Sequence, residues 1–515
     1  MIHCIVYSIF VRIAKNELKL GIVQRQSLKN SIVNYLGIGI GGLSTMFIYP
    51  LDWDLYGEIQ FILSTSILLS SLFAMGSHTL VNKYFPYFKA NKIKGFLSLL
   101  FIYSSVNILI VSILLFLFKE PFTTAISLGG FDVNKIERNL FVIFPLGILF
   151  VYFAILRAQS FNYARIVVPD VISNFSLKLL IPILVILSYF SIINDQQVGW
   201  ILIIYNFLII VLLLKYIHSL GGLDFKWNVI KKVAFGKHVE MIRYMIYGAM
   251  NHVGNILVYK IDIVMIGLLL STTKVGYYSI FLFLSVVIEV PTKAIFQITG
   301  PIISKSFETN QLLEIRKLYK NSSINLYLIG VVLFSIIWLN INTFFTIMTN
   351  GEDLIIYKTV FLLLAFTKLV DMVTSINFHI ISYSKYFRAN TLFIAILAVS
   401  NILFNYYLIN KYDIIGAALA TGISMLLFNL MKTIFVFIQF KMHPFRKELL
   451  LLTLFLIGAT LLPILFEGIF NSIFFSLIIS IGFVILLIFV AFKLNISLEL
   501  NNFIKKYRDK LINKK

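Results

Sequence analysis

Apolar runs of about 20 residues recur along this chain from one end to the other, and they constrain its fold more than any other feature. A helix of that length crosses the hydrocarbon core of a bilayer, where every backbone polar group must be satisfied internally. Of the 515 residues, 59% are hydrophobic and only 13% are charged, a balance that is rare in soluble domains. The sequence therefore predicts an all-α polytopic membrane protein.

Hydropathy and helix length divide the chain into about fourteen predicted transmembrane helices. Basic residues concentrate in alternate loops, such as 83–94 and 305–320, whereas the intervening loops are short and often acidic. Because Lys and Arg accumulate in cytoplasmic loops, this alternation predicts that both termini are cytoplasmic. The predicted spans are 28–49, 57–81, 96–118, 139–157, 166–189, 197–215, 244–269, 276–301, 321–341, 356–381, 390–409, 414–439, 449–466 and 470–492.

Charge and cysteine content exclude several classes of function. The net charge of +21 is expected from cytoplasmic loops that face anionic lipid, so we predict the bilayer and no nucleic acid as a partner. The single cysteine, Cys4, excludes an intramolecular disulfide and disfavours a cysteine metal cluster. The seven histidines show no HExxH spacing, so no metal site is predicted.

The two halves of the chain look alike on either side of a basic segment, 216–243, which we interpret as a cytoplasmic amphipathic linker. Each half begins with a glycine-bearing span, a tight loop and an aromatic–glycine signal, Tyr56-Gly57 in one and Gly276-Tyr277-Tyr278 in the other. A parallel repeat of this kind predicts two six-helix lobes with a cleft between them. The predicted segments are 1–27 (interfacial), 28–215 (first lobe), 244–439 (second lobe), 440–492 (two extra helices) and 493–515 (basic cytoplasmic tail).

Two stretches resemble a known family. The opening IVQRQSLKNSIVNYLGIGIGGLSTMFIYPL…YGEIQF, and the seventh-span pattern from Lys260 and Asp262 to Gly267 followed by VGYYS, resemble bacterial polysaccharide (O-antigen type) flippases. These belong to the multidrug/oligosaccharidyl-lipid/polysaccharide exporter superfamily, and the resemblance runs from Gly21 to about residue 440. It is a resemblance of pattern, without one diagnostic motif.

The resemblance implies a bundle of two six-helix lobes in pseudo-two-fold repeat around a V-shaped central cavity, in the bacterial inner membrane. Its implied function is to move an undecaprenyl-diphosphate-linked oligosaccharide, the repeat unit of O-antigen, capsule or exopolysaccharide, to the periplasmic leaflet. Polysaccharide polymerase and chain-length machinery are implied partners. The two extra helices are similar to those of the lipid II flippase branch, where they form a groove for the lipid tail.

Charged side chains inside the predicted spans are the candidates for function. Each costs about 2.5–3.5 kcal/mol on insertion scales, so such residues are rarely there without a role. One interpretation is structural. Opposite charges spaced i,i+4 or i,i+3 can neutralise each other within one helix, and a long side chain near a helix end can extend its charged group to the membrane surface. The residues are Lys178, Lys260, Lys293, Lys368, Lys432, Asp170, Asp262, Glu289 and Asp371.

Specific pairings follow from helical spacing. Glu289 with Lys293 and Lys368 with Asp371 have the spacing of intrahelical ion pairs, whereas Lys260 and Asp262 lie about 200° apart and cannot share a face. Two further expectations concern helix ends. Lys432 is expected to snorkel to the cytoplasmic head groups, and Asp170 is expected to be solvated beside Arg165.

The functional interpretation assigns the cations to a diphosphate, because a desolvated phosphate needs cations in place of water. The central prediction is that Lys178, Lys260 and Lys368 face one cavity. H+ or Na+ is the expected coupling ion, and no other cofactor is predicted. The candidate residues are Lys178, Lys260, Lys368, Lys293, Arg157 and Arg165 for the diphosphate, Asp262, Glu289 and Asp371 for the ion, and Asn251, Asn255, Tyr259, Asn377 and Tyr383 for sugar hydroxyls or for hydrogen bonds between helices.

Other classes of protein remain as alternatives. The acidic pair of Asp52-Trp53-Asp54 imitates the metal-binding loop of a membrane glycosyltransferase that uses a polyprenyl-phosphate sugar, although a metal would need more oxygen ligands than this loop supplies. A multidrug/cation antiporter would favour carboxylates and aromatic residues over lysines. A lipid II-type flippase is the third alternative. We predict a transporter and not an enzyme.

Overall fold

A computed structural model describes residues 21–120, 133–163, 165–466, 472–497 and 499–502. These residues form helices and connecting turns, with no β-strand among them. The predicted interfacial segment up to residue 20, the turn at Glu467 and the basic tail beyond residue 502 lie outside the described residues.

Sixteen helices of six residues or more are numbered here in chain order. They are α1 (Gly21–Phe47), α2 (Trp53–Ala74), α3 (Ser77–Ala90), α4 (Phe96–Leu117), α5 (Val133–Phe161), α6 (Val167–Tyr189), α7 (Asp195–Ser219), α8 (Phe235–Leu269), α9 (Thr272–Glu308), α10 (Leu312–Leu339), α11 (Ile341–Ile347), α12 (Lys358–Thr374), α13 (Asn377–Ser382), α14 (Arg388–Phe440), α15 (Glu448–Leu465) and α16 (Ile473–Lys493).

The helices match the predicted spans. Among the described residues, 11 are long and apolar enough to cross a membrane. One of these, α14, has 53 residues and is interrupted by non-helical backbone at Tyr412 and Asp413, so it supplies spans eleven and twelve. The helix α1 overlaps span one, and α12 covers the first part of span ten. The prediction of an all-α, multi-pass membrane protein is confirmed.

Two backbone breaks interrupt predicted membrane spans. Between α2 and α3, Met75 and Gly76 both have positive φ, and a Cβ on Gly76 would lie 2.5 Å from the carbonyl oxygen of Met245. Only glycine fits this close approach without strain. After α12, Ser375 also has positive φ and ends the helix before α13, so predicted span ten is divided in two.

The described chain divides into two compact units. The N unit comprises 21–279 with Ala398–Ala417, and its core centres on aromatic and aliphatic residues of α2 to α5 such as Phe73, Leu80 and Tyr84. The C unit comprises Ile280–Leu397 with 418–502, and its core includes the stacked rings of Phe334, Trp338 and Phe361. The division into lobes at 28–215 and 244–439 stays a prediction.

The basic segment 216–243 contains one helical turn, Val229–Lys232, before α8 begins. Val229 and Val233 of this segment are buried, and Lys231 and Lys232 are exposed. Phe235 starts α8 and is exposed.

Candidate functional site

Asp262 in α8 is the most deeply buried acid that the sequence singled out, with only 4% of its surface accessible to lipid or water. Its carboxylate accepts a hydrogen bond from the Tyr278 hydroxyl of α9 at 2.8 Å and one from the Asn405 side-chain amide of α14 at 2.9 Å. All three residues belong to the N unit. Hydrogen bonds to the charged form stabilise a carboxylate at this depth.

A second asparagine extends this network. Asn405 Nδ2 also contacts the main-chain and side-chain oxygens of Asn401, one turn earlier in α14. Both asparagines are fully buried, yet Asn405 Oδ1 and Asn401 Nδ2 have no hydrogen-bond partner within the described part of the chain. Buried polar atoms are normally satisfied, so these two need an explanation. We call Asp262, Tyr278, Asn401 and Asn405 the Asp262 cluster.

Sequence reasoning found Asp262 but missed Asn401 and Asn405. The signal was present, because two asparagines four residues apart in an otherwise apolar span lie on one helical face. Their side chains supply oxygen atoms beside a carboxylate, and oxygen is the ligand that hard cations take in proteins.

Two lysines of the N unit lie at membrane depth. Lys260 is partly exposed while Asp262 is buried, which agrees with the prediction that the two residues do not share a face. Lys178 of α6 lies against α1, with its Nζ atom 3.1 Å from the position that a Cβ on Gly37 would occupy. The absence of a side chain at Gly37 thus makes the space in which the lysine lies.

Arg157 and Asp170 form a salt bridge between α5 and α6. Nε and Nη2 of Arg157 both donate to Asp170 Oδ1, at 3.1 and 2.8 Å. The expectation that Asp170 is solvated beside Arg165 is wrong, since Asp170 is buried and Arg165 is exposed. Burying a carboxylate is costly without a charged partner, and the guanidinium supplies one.

Ion pairs in the C unit join different helices. Lys368 Nζ of α12 lies 2.5 Å from Glu289 Oε2 of α9, and Lys432 Nζ of α14 lies 4.0 Å from Asp371 Oδ1 of α12. Both contacts join two helices, whereas spacing along one helix had indicated Glu289 with Lys293 and Lys368 with Asp371. Where two helices pack together, a residue of the facing helix can bring an opposite charge within contact distance.

The expectation that Lys432 reaches the cytoplasmic head groups is wrong. This lysine does not snorkel to the surface, since it is 3% exposed and its Nζ lies 4.0 Å from the centre of the Phe428 ring as well as near Asp371. The aromatic face and the carboxylate replace the water that snorkelling would have supplied. Lys293, by contrast, is exposed on α9.

The residues predicted to contact sugar hydroxyls divide by burial. Asn255, Tyr259 and Tyr383 are exposed. Asn377 is fully buried, and its amide points to the Thr433 hydroxyl at 3.4 Å, so it makes a contact between helices. The side chain of Asn251 lies outside the part of the chain that the structure describes.

The two aromatic–glycine signals of the predicted repeat lie in contact within the N unit. A Cβ on Gly57 would lie 1.8 Å from the Thr272 carbonyl oxygen, and one on Gly276 would lie 2.8 Å from that of Trp53. The rings of Trp53 and Tyr277 meet edge to face. These two glycines allow the starts of α2 and α9 to approach at van der Waals distance.

The acids of the Asp52-Trp53-Asp54 loop have structural partners. Asp52 caps α2 by accepting from the Leu55 amide at 3.0 Å, and Asp54 accepts from the hydroxyls of Thr272 and Thr273 at 3.0 and 2.5 Å. Among the described residues there is no group of three or more His, Cys, Asp or Glu side chains that could hold a metal ion. These contacts give the loop a role in holding α2 to α9.

No protein-family model matches this sequence, and no curated protein matches it. Solved structures do share its fold. The lipid II flippase MurJ, in an inward closed conformation, superposes with a TM-score of 0.68 and 16% identity over 90% of this chain and 97% of its own. A multidrug resistance MATE family transporter of the MOP superfamily, in an inward-facing conformation, superposes with a TM-score of 0.57 and 10% identity over 79% of this chain and 94% of its own.

A third structure, a MOP superfamily transporter from Pyrococcus furiosus, gives a TM-score of 0.51 and 12% identity over 82% of this chain and 95% of its own. The chain therefore has the fold of MOP superfamily transporters. At these identities the likeness concerns the fold alone. The same fold is found in a lipid flippase and in multidrug transporters, so the substrate has to be inferred from the charged residues that this chain places in its helices.

Proposed function

We propose that this protein is a flippase that moves an undecaprenyl-diphosphate-linked oligosaccharide from the cytoplasmic to the periplasmic leaflet of a bacterial inner membrane by alternating access. The observation that carries the proposal is the presence of Lys178 and Lys260, both partly exposed, at membrane depth in helices of a transporter fold. Lysine suits a phosphate that must be released, because its ammonium is a compact charge and not a bidentate fork.

The cations of the C unit contribute less to this proposal. Lys368 is paired with Glu289 at 2.5 Å, and Lys432 is buried beside Asp371, so their charges are already compensated by protein groups. Arg157 is likewise engaged by Asp170. Lys178 and Lys260, which lie in membrane helices and are partly exposed, are our first choices for the diphosphate, and Lys293 and Arg165, both exposed, are the next.

The Asp262 cluster supports ion coupling. We assign H+ or Na+ to it because a buried carboxylate and two buried asparagines supply several oxygen atoms at one place in a transporter fold. Binding of a cation there would also satisfy the second lone pairs of these oxygens. Glu289 and Asp371 are weaker candidates, since each faces a lysine.

The test is complementation of a deletion strain. Lys260→Ala should reduce surface polysaccharide at least tenfold while the protein remains inserted in the membrane, and Lys260→Arg should retain part of the export. Lys231→Ala, which removes an exposed lysine from the segment before α8, is the matched control and should export normally. Normal export by Lys260→Ala would contradict the role assigned to this lysine.

A lipid II-type flippase is the second candidate, favoured by one observation. MurJ matches 90% of this chain, whereas the MATE family transporter and the Pyrococcus furiosus MOP superfamily transporter match 79% and 82%. Chemical identification of the glycan that accumulates on the cytoplasmic leaflet of the deletion strain distinguishes the two. An oligosaccharide repeat unit supports the first proposal, and lipid II supports the second.

A further inference from the structure

The C unit contains a cavity of about 800 Å³ between α10, α12 and the start of α15. Lys320 of α10 lies on one side of it, and Arg446, Lys447 and Glu448 lie on the other. None of these residues was a candidate for the transport site. The volume lies within the range of small-molecule sites, which is about 300–1,000 Å³.

The charge of this cavity is positive. Arg446 Nη2 lies 2.7 Å from Glu448 Oε1, so the acid fixes the position of the guanidinium but compensates only one of three cations. Lys320 is partly exposed and Lys447 is exposed, so both ammonium groups are accessible to a ligand. An arginine held by a carboxylate still has donors left for a phosphate oxygen.

The rest of the lining is apolar, with one polar contact. Phe445 and Leu450 are 52% and 71% exposed, and Leu449 packs behind them. The hydroxyls of Tyr327 and Thr453 meet at 3.1 Å inside the cavity. A ligand that fits has a negatively charged, hydrogen-bonding head and an apolar chain.

We propose that this cavity binds the head group of an anionic phospholipid, with its phosphodiester between Lys320, Arg446 and Lys447 and an acyl chain along Phe445 and Leu450. The basic loop before α15 is predicted to be cytoplasmic, where anionic lipids give the membrane surface its negative potential. Basic pockets between transmembrane helices at this surface are suited to such head groups. The site goes beyond the proposed transport function and does not depend on it.

Native mass spectrometry of the full chain in detergent tests the proposal, with phosphatidylglycerol and phosphatidylcholine of identical chains as probes. The triple variant Lys320→Gln, Arg446→Gln and Lys447→Gln should bind the first phosphatidylglycerol at least tenfold more weakly. The conservative triple Lys320→Arg, Arg446→Lys and Lys447→Arg should bind within about threefold of the unmodified protein, since the charge is kept.

The matched control removes the same charge from the segment before α8, where Lys226, Lys231 and Lys232 are exposed. Changing these three to Gln should leave the first binding event unchanged. Equal weakening in both Gln triples would show general surface attraction and overturn the proposal. So would equal binding of phosphatidylcholine, competition by inorganic phosphate, or displacement by an equimolar amount of undecaprenyl phosphate, which would assign the cavity to the transported lipid.

Discussion

The ion pairs of the C unit and the Asp262 cluster of the N unit stabilise acidic side chains in different ways. In the C unit, Glu289 and Asp371 each face a lysine from another helix. In the N unit, Asp262 accepts hydrogen bonds from Tyr278 and Asn405, which are neutral. An ion pair cancels a charge and joins two helices, whereas neutral donors stabilise a carboxylate without cancelling its charge. We expect the C-unit pairs to act mainly in stability, and the Asp262 cluster, with its two asparagine atoms that lack a hydrogen-bond partner among the described residues, to act in transport.

The largest expected effect comes from breaking the closest pair. Lys368→Ala leaves Glu289 buried without its partner, and removal of one member of a buried ion pair costs about 3–5 kcal/mol. We expect a cost near the lower end, because both side chains retain some exposure. Thermal unfolding in detergent measures it. The double variant Lys368→Met with Glu289→Gln should recover most of the lost stability, and a double variant as unstable as Lys368→Ala would contradict a structural pair.

A smaller loss of stability is expected for the second pair of the C unit. Lys432→Met keeps the volume of the side chain and removes a buried ammonium whose distance to Asp371 is 4.0 Å. The relief of desolvation offsets part of the lost attraction, so we expect a cost of about 1 kcal/mol. The same unfolding experiment compares the two lysines. If Lys432→Met lowers the free energy of unfolding as much as Lys368→Ala does, the distance between nitrogen and oxygen does not determine how much each pair contributes to stability.

Asp262→Asn should affect transport more than stability. The substitution preserves shape and can retain the contacts with Tyr278 and Asn405, but it removes the charge that a coupling ion requires. We expect export to fall at least tenfold and the dependence of transport on the ion gradient to disappear, while the free energy of unfolding changes by about 1 kcal/mol or less. Asp195→Asn, at an exposed acid in the first turn of α7, is the control.

The smallest effect concerns the position of Lys178. Gly37→Ala places a methyl group 3.1 Å from the Lys178 ammonium and must displace it by a few tenths of an ångström. We expect a several-fold loss of export with no loss of stability, because alanine favours a helix over glycine by about 1 kcal/mol. Gly39→Ala, which has open space around it, should have no effect on export. Equal export by the two variants would argue against a role for the lysine's position.

The pairings among charged residues show where sequence reasoning stops. Spacing along a helix correctly separated Lys260 from Asp262, because that geometry is local. It did not predict the contact of Glu289 with Lys368 or that of Asp371 with Lys432, because these contacts join facing helices. Asn401 and Asn405 were overlooked because their position beside Asp262 depends on how α14 packs against α8.

The sequence by itself determined the class of fold and the approximate limits of most membrane helices, because lipid requires long apolar runs whose backbone bonds internally. It also determined which residues carry charge at membrane depth. Only the tertiary structure decided which of those charges compensate one another. Helices such as α9, α12 and α14 bring together residues far apart in the chain, and electrostatic attraction and hydrogen bonding depend on distances that no periodicity contains.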